Sequence, residues 1–236
     1  MRVLVCALAL LMACGAVFAR KNNQLTRAER QQGFVLLFDG KSLLGWTGDT
    51  LNYKPADGVI KVTADYGDEH NLYTQKEYRD FVFRFDFCFT QPGVNNGVGI
   101  RTSMGKDAAY YGMCEVQILD HDAPGYEGLA DYQVHGSAYG LVPARRIKHR
   151  PLGKWSSEEI VVKGDSVVVT VNGERILAAD LRAACQGQPV APAGEKRNPY
   201  TLDHHSHPGL LNPRGHIGFL GHGEGLQLRN IRIKEL

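Results

Sequence analysis

Two segments of the chain carry polar residues at spacings that could bind or cleave a sugar. In the segment 97–101, GVGIR, the alternation of a β-strand places Arg101 on the face opposite the apolar side chains. In the segment 112–120, GMCEVQILD, the same alternation places Glu115 and Gln117 together on one face. A carboxylate, an amide and a guanidinium on one sheet face could hydrogen-bond to sugar hydroxyls. An ordinary solvated face, with Glu115 paired to Arg101 across neighbouring strands, fits the pattern equally well.

These side chains need a β-rich fold to position them, and the rest of the chain predicts one. Phenylalanine alternates with other residues over 81–89, which indicates a strand with one face in an aromatic core, formed by Phe81, Phe83, Phe85, Phe87 and Phe89. Val167 to Val171, followed by Asn172-Gly173, is the clearest hairpin signal. Further strands are predicted at 34–38, 58–63, 70–74, 97–103, 112–119, 157–163, 166–172, 174–178, 215–221 and 225–234. Many short strands joined by tight turns predict an all-β sandwich of two antiparallel sheets.

Two segments depart from this strand pattern. In the polar segment 20–32, Thr26-Arg27-Ala28-Glu29 matches a capping box, so one short N-terminal helix is predicted there. Residues 182–214 contain Gly, Pro and His with little periodicity, and we interpret them as a long excursion over one edge of the sandwich or over the mouth of a site. Within this excursion, Asp203-His204-His205-Ser206-His207 could ligate a metal ion, although a polar loop with solvated histidines is the simpler interpretation.

Residues 1–19 have the features of an export signal. A basic start precedes the apolar run Val3–Met12, and Val17-Phe18-Ala19 offers small residues at the positions that a signal peptidase reads. Leu11-Met12-Ala13-Cys14 also resembles a bacterial lipobox, in which Cys14 would carry a lipid anchor. Either cleavage predicts an exported protein that is periplasmic, secreted or lipid-anchored to the cell envelope. No later segment is apolar enough to be predicted as a transmembrane span.

The composition excludes several functional classes. The 236 residues carry a formal net charge of +2, which is too balanced to imply a surface for nucleic acid. Because the sequence has no GxGxxG, P-loop, GxSxG or HExxH motif, we predict no nucleotide cofactor and no serine or zinc protease chemistry. Three cysteines follow the signal segment, Cys88, Cys114 and Cys185, and an odd number is no disulfide framework. Cys88 and Cys114 lie in strand-like runs and are predicted to be buried.

The chain resembles the 3-keto-disaccharide hydrolase domain family along most of its length. The resemblance is carried, in order, by GFVLLFDGKSLLGW at 33–46, NNGVGIR at 95–101, EVQILD at 115–120, GHIGFLGHG at 215–223 and LRNIRI at 228–233. It implies a concanavalin-like jelly roll over residues 33–236 and an activity on 3-keto-glycosides, by hydrolysis or by lyase-type cleavage. The chain departs from the family pattern at Cys114, where a tyrosine is usual, and at Trp155-Ser156, where a Trp-Asn pair is usual.

This resemblance, taken with the available residues, implies a division of chemical roles. A ketone at C3 acidifies the proton on C2, so one general base can form an enolate, after which the aglycone leaves from C1. Glu115 is predicted to be this base, Arg101 to hold the enolate oxygen and His222 to donate to the leaving group. Substrate binding is predicted for Gln117, Asn96, Asp120 and Trp155. As an alternative role, Glu115 and His222 could hold one divalent metal ion.

Two other functions also fit the sequence. Jelly-roll glycosidases of the laminarinase type carry Glu-x-Asp-x-x-Glu on one strand, whereas this chain has Glu115-x-Gln117-x-x-Asp120. Conventional glycoside hydrolysis needs two suitably spaced carboxyl groups, so it would require a second carboxylate from another part of the chain. A non-catalytic carbohydrate-binding module on the same fold would need only hydrogen-bonding groups and aromatic platforms. The candidate platforms are Trp155, Tyr110, Tyr111 and Trp46, although core packing is the simpler interpretation of Trp46.

Overall fold

A computed structural model describes residues 21–63, 70–105 and 107–236. The predicted signal peptide at 1–19 and the lipid anchor at Cys14 lie outside the described residues. The strands are β1 Val35–Leu36, β2 Trp46–Gly48, β3 Tyr53–Ala56, β4 Val59–Val62, β5 Asn71–Thr74, β6 Phe81–Phe89, β7 Asn95–Thr102, β8 Cys114–Leu119, β9 Ser156–Lys163, β10 Ser166–Val171, β11 Glu174–Asp180, β12 His216–Gly221 and β13 Leu226–Glu235. The helices are α1 Arg27–Gln31, α2 Ala108–Tyr111 and α3 Leu181–Ala184, with a 3₁₀ turn at Asp131–Gln133.

The strands form two sheets. The larger sheet has the order β11-β10-β9-β6-β13-β4-β3, with β1 also pairing to β13. The smaller sheet has the order β2-β5-β12-β7-β8. All of these pairings are antiparallel. The prediction of an all-β jelly-roll sandwich of two antiparallel sheets with a short N-terminal helix is therefore confirmed.

An aromatic core joins the two sheets. The five phenylalanines of β6 are all buried, as their alternation predicts, and so they form one face of the larger sheet. Phe219 of β12 faces them from the smaller sheet, with ring centroids 6.1 Å from Phe83 and 5.5 Å from Phe85. Trp46 stacks on Phe219 and donates its indole N–H to the Leu37 carbonyl at 2.6 Å. Each buried phenylalanine contributes roughly 1.5–3 kcal/mol by leaving water.

The N-terminal helix begins with the predicted capping box. The Glu29 backbone N–H donates to Thr26 Oγ1, and the Glu29 carboxylate accepts from the Thr26 backbone N–H at 2.8 Å. The same carboxylate pairs with Arg232 of β13 at 2.5 Å, so α1 is tied to the larger sheet. Cys88, Cys114 and Cys185 are buried and free, as predicted for the first two. None of the helices in the described ranges is long and apolar enough to cross a membrane.

Two strands are not among those predicted. β2 and β3 are short, and they contain Gly48 and Pro55, residues that weaken a strand pattern. Their conformation comes from pairing, β2 with β5 and β3 with β4, rather than from their own periodicity. A sequence pattern does not record such pairing, because it depends on residues elsewhere in the chain.

Loops and a short helix cover the outer face of the smaller sheet. The segment 134–139 lies against β8: Gln117 N–H donates to the Ser137 carbonyl at 3.0 Å and Tyr139 N–H to the Glu115 carbonyl at 2.9 Å. Helix α2 packs on β7 and β8. The long excursion 182–214 lies behind α2, where Gly209 N–H donates to the Tyr110 carbonyl at 2.9 Å. Together, these loops and α2 enclose a space over this face of the smaller sheet.

Candidate active site

A cavity of about 340 Å³ lies on the outer face of the smaller sheet. It is lined by Asn71, Asn95, Glu115, Gln117, Leu119 and Leu220 from the sheet, by Asp107, Ala108, Ala109 and Tyr110 of α2 and its cap, and by Tyr126, Leu129, Gln133, Tyr139 and His222 from loops. The polar members are amides, tyrosines, one histidine and two carboxylates. Amides, hydroxyls and aromatic rings are groups suited to the hydroxyls and apolar faces of a sugar.

Glu115 occupies the floor of this cavity because a glycine on the neighbouring strand leaves room for it. The side chain of Glu115 lies over Gly97, where an added Cβ would be only 1.9 Å from Glu115 Oε1. The residue is 4% exposed, since the loops above the sheet cover it. Cys114, Val116 and Ile118 are directed into the sandwich core, as predicted. β8 is thus buried on both faces, and Glu115 and Gln117 are directed to the cavity side.

The Gln117 amide is oriented by its neighbours. Its hydrogen-bonding groups are satisfied when the side-chain nitrogen faces Glu115 Oε1 at 3.2 Å and the Asn96 carbonyl at 2.9 Å. In this orientation the amide donates to the carboxylate. Gln117 thus contacts Glu115 from two residues along the same strand.

The electrostatic environment of Glu115 favours its protonated form. Burial, followed by repulsion from the Asp107 carboxylate, raises the pKa of Glu115 to about 8. Asp107 caps α2, accepting from the Ala109 backbone N–H at 3.2 Å, and is exposed at the cavity wall. A hydrogen bond from Gln117 acts in the opposite direction, because it stabilises the ionised carboxylate. A carboxyl group with a pKa near neutrality is suited to proton transfer.

His222 stands at the rim of the cavity. Its backbone N–H donates to the Asn95 carbonyl at 3.3 Å, which fixes the turn after β12 beside β7. Loss of solvent on part of the ring lowers the pKa of His222, and the Asp107 carboxylate opposes this change. The imidazole is therefore neutral near pH 7 and can donate one N–H to a ligand.

Arg101 is not brought to the cavity, contrary to the predicted role. Its backbone is left-handed, with φ 47°, so the strand alternation ends at this residue. The guanidinium donates to Asp80 Oδ1 at 2.8 Å, to the Arg79 carbonyl at 2.6 Å and to the Asn212 carbonyl at 3.3 Å. These bonds, with the side chain 4% exposed, give Arg101 a structural role at the end of β7.

The other predicted binding residues also lie outside the cavity lining. Asn96 is fully buried inside the sandwich, where its amide donates to Tyr53 Oη at 3.1 Å. Asp120 accepts from the Gly93 backbone N–H at 3.1 Å and so stabilises the turn between β6 and β7. Trp155 lies under the Arg229 guanidinium, 3.9 Å from its ring centroid. The structure therefore brings together Glu115, Gln117 and His222, but not these residues.

The described residues contain no group of three or more His, Cys, Asp or Glu arranged to hold a metal ion. In the excursion, His207 is fully buried and its Nε2 contacts Asp203 Oδ2 at 3.1 Å, whereas His204 and His205 are exposed. The segment 203–207 thus forms one buried pair rather than a ligand cluster. Glu115 and His222, the predicted metal ligands, both line the cavity.

Several cavity residues are absent from the predicted site. Asn95 lines the cavity in place of Asn96, and counting the alternation back from Gly97 gives this assignment. Asp107 is the N-cap of the short helix α2, which has no periodic signal, while Gln133 comes from the 3₁₀ turn and Tyr139 from a loop. Tyr110 of α2 is predicted only as an aromatic platform for a sugar. Gln133 Nε2 donates to Tyr139 Oη at 3.4 Å, which joins two parts of the cavity wall.

Comparison with known proteins connects this architecture to carbohydrate chemistry. Residues 33–234 match the family model of the 3-keto-alpha-glucoside-1,2-lyase-like domain. A protein of Bacteroides thetaiotaomicron named 3-keto-disaccharide hydrolase is 27% identical over 229 residues, covering 86% of this chain and 79% of that protein. The family-model match at 33–234 includes the strands of the cavity floor, β5, β7, β8 and β12.

Two crystal structures from Parabacteroides distasonis share the fold. Both are described as candidate glycosyl hydrolases. One superposes with a TM-score of 0.74 at 25% identity, covering 92% of this chain and 100% of the other. The second has a TM-score of 0.70 at 27% identity, covering 86% of this chain and 99% of the other.

Proposed function

The chain belongs to the family of 3-keto-alpha-glucoside-1,2-lyase-like domains, and from this membership we propose that it cleaves the glycosidic bond of 3-keto-glycosides. The names of its relatives point to a glycoside hydrolase-like role. The observation that supports the finer proposal is the buried Glu115 on the cavity floor, a carboxyl group with a pKa near neutrality among amides and tyrosines.

The proposed reaction begins at C2 of the sugar. Ionised Glu115 removes the C2 proton, and the electrons of the C2–H bond form an enolate whose charge rests on the C3 oxygen. His222 donates its N–H to that oxygen, the task predicted from the sequence for Arg101. It then no longer has the task predicted for it, which was donation to the leaving group. A neutral imidazole can serve here, because its N–H can donate to the charge that develops on the oxygen.

The second half of the reaction releases the aglycone. The enolate re-forms the C3 ketone, a C1=C2 double bond forms, and the C1–O bond breaks with its electrons on the departing oxygen. Water can then add across the double bond, which makes the net result a hydrolysis. Gln117 and the amides of Asn71, Asn95 and Gln133 are placed to bind sugar hydroxyls.

Conventional glycoside hydrolysis is a second candidate, because the cavity contains a second carboxylate. Asp107 lines the cavity and interacts with Glu115, so the two groups could act as the acid and base of a two-carboxylate mechanism. Such a mechanism needs no ketone. The two candidates therefore differ in the substrate that they require.

One experiment separates these functions. Protein lacking residues 1–19 is incubated with a 3-keto-glucoside and with the matching unoxidised glucoside, each with and without a metal chelator. We expect aglycone release from the keto sugar alone, with an unsaturated keto sugar detectable as an intermediate. Equal cleavage of the unoxidised glucoside would favour the Glu115–Asp107 hydrolysis. Binding of keto sugars without turnover, even with added divalent metal, would indicate that the protein is a non-catalytic carbohydrate-binding module.

The pH dependence of the reaction follows from the environment of Glu115. A general base acts as the carboxylate, which predominates above its pKa, so kcat/KM is expected to rise with pH and level off above about 8. Asp107→Asn removes a repulsive charge and lowers the pKa of Glu115, so the rise should move to lower pH. Rates measured on both proteins from about pH 5 to about pH 10, in buffers of constant ionic strength, test this, because the range includes the raised pKa of a buried carboxyl group.

Asp57→Asn is the matched control for this charge change. Asp57 lies in the exposed turn between β3 and β4, where it pairs with Lys61 at 2.7 Å, and it is not among the cavity residues. Its replacement should leave the pH profile unchanged. A wild-type profile that falls through the same pH region would contradict the base assignment, because it would mean that the protonated carboxyl group is the active form.

A further inference from the structure

Tyr110 lines the cavity but has no role in the reaction proposed above. It lies in α2, half-buried in the cavity wall. Its hydroxyl makes no hydrogen bond to any part of the chain that the structure describes. A tyrosine hydroxyl at a cavity wall normally has a partner, so this group is free to hydrogen-bond to a bound substrate.

The aromatic ring of Tyr110 is firmly supported from behind. The His207 ring lies against it, with centroids 4.9 Å apart, and His205 lies at 5.6 Å. His207 is fully buried and its Nε2 contacts the Asp203 carboxylate at 3.1 Å. The Gly209 N–H donates to the Tyr110 carbonyl at 2.9 Å. Side chain and backbone are both fixed by the excursion, so Tyr110 has a defined position at the cavity wall.

The charges around Tyr110 keep its proton in place. Burial is the largest cause that raises the pKa of Tyr110, and the carboxylates of Asp203, Asp107 and Glu115 raise it further. The hydroxyl is therefore protonated at every pH at which the protein would act. The same charges disfavour a tyrosinate, so the Tyr110 proton can pass only to a more basic group, such as a departing alkoxide.

Accepting the proposed function, we propose that Tyr110 is the catalytic acid that protonates the aglycone oxygen as the C1–O bond breaks. The Tyr110 O–H bond breaks, its proton joins the departing oxygen, and a tyrosinate remains. The proton that Glu115 took from C2 then returns to this tyrosinate, directly or through water. Both residues are restored, and the products are the free aglycone alcohol and the unsaturated keto sugar, with no other reactant consumed.

The test uses two leaving groups. Methyl 3-keto-glucoside must release a strongly basic alkoxide, whereas 4-nitrophenyl 3-keto-glucoside releases an anion that needs no proton. Tyr110→Phe should slow methanol release by about 10²-fold or more, as removal of a general acid does, and leave nitrophenol release within a few-fold of the original rate. Retained nitrophenol release also shows that the variant is folded.

A second measurement follows the proton on C2. In D₂O, Tyr110→Phe should still form the enolate but release the methoxide slowly, so deuterium should accumulate at C2 of the unreacted methyl substrate. Glu115→Gln should show no such exchange. Tyr111→Phe, in the same helix and outside the cavity lining, is the matched control and should cleave both substrates normally.

Each remaining outcome overturns the assignment. If Tyr110→Phe slows both substrates equally, or slows neither, Tyr110 does not protonate the leaving group, and the role of Glu115 is unaffected. If the unaltered protein cleaves neither keto sugar, the proposed function fails and this inference fails with it.

Discussion

Glu115→Gln is expected to lower kcat/KM for a 3-keto-glucoside by about 10²–10⁴-fold, the loss typical of removing a general base. Glutamine has nearly the same shape but cannot accept the C2 proton. Because Glu115 is 4% exposed and its ionised form is disfavoured by burial, a neutral side chain removes a cost in the folded state. The variant should therefore be at least as stable as the original protein, as measured by urea unfolding.

Gln117→Ala is the informative comparison for this loss. Its amide contacts Glu115 and lines the same cavity, but its only role in the proposed reaction is to bind a sugar hydroxyl. A binding contact present both before and in the transition state affects KM more than kcat. Glu115→Gln should instead reduce kcat. A folded Glu115→Gln variant that keeps near-normal turnover would show that another group removes the C2 proton.

The parts of the site that the sequence predicts are those that depend on local alternation. Glu115 and Gln117 share a face because successive strand residues point to opposite sides, and the phenylalanines of β6 are buried for the same reason. This rule needs no knowledge of distant residues. Counted through Gly97, it also places Asn95, not Asn96, on the sheet face that carries Glu115.

Arg101 shows where alternation stops being informative. Its left-handed backbone, φ 47°, turns the side chain away from the face of Gly97 and Gly99. A distant segment packs at this point: Gly215 lies so close to the Arg101 backbone that an added Cβ would be 2.3 Å from the Arg101 carbonyl carbon. Asp80 then provides the partner for the guanidinium. Neither contact can be predicted from the local sequence around Arg101.

The position of Asp107 beside Glu115 could not be predicted for a related reason. Helix α2 is only four residues long, and its place over the sheet depends on hydrogen bonds from the segment 207–212. The interaction between Asp107 and Glu115 therefore appears only when the excursion is folded against the sheet. The sequence shows that carboxylates are present, but the electrostatic interaction between these two depends on the tertiary structure.

Gly97→Ala is expected to lower kcat by about 10²-fold, although no residue that lines the cavity is substituted. The reason is that misplacing a catalytic group by about 1 Å has an effect of that order. The added methyl group would occupy the space of the Glu115 carboxylate, 1.9 Å from Oε1. Gly97 is not among the residues with positive φ, so alanine fits the strand conformation. The protein should fold normally while Glu115 moves from its position beside Gln117, and kinetics with circular dichroism on the same samples test this.

Gly99→Ala is the control that separates displacement of Glu115 from a general effect of alanine in β7. Gly99 lies two residues along the same strand, and the nearest neighbours of its added Cβ would be the Leu220 and Thr102 side chains, at 3.2 Å and beyond. Such contacts need shifts of a few tenths of an ångström, so kcat should fall by no more than a few-fold. Equal losses in both variants would mean that the strand, not the carboxylate, limits the rate. A fully active Gly97→Ala protein would mean that catalysis does not need Glu115 over Gly97, because a carboxylate cannot share that volume with a methyl group.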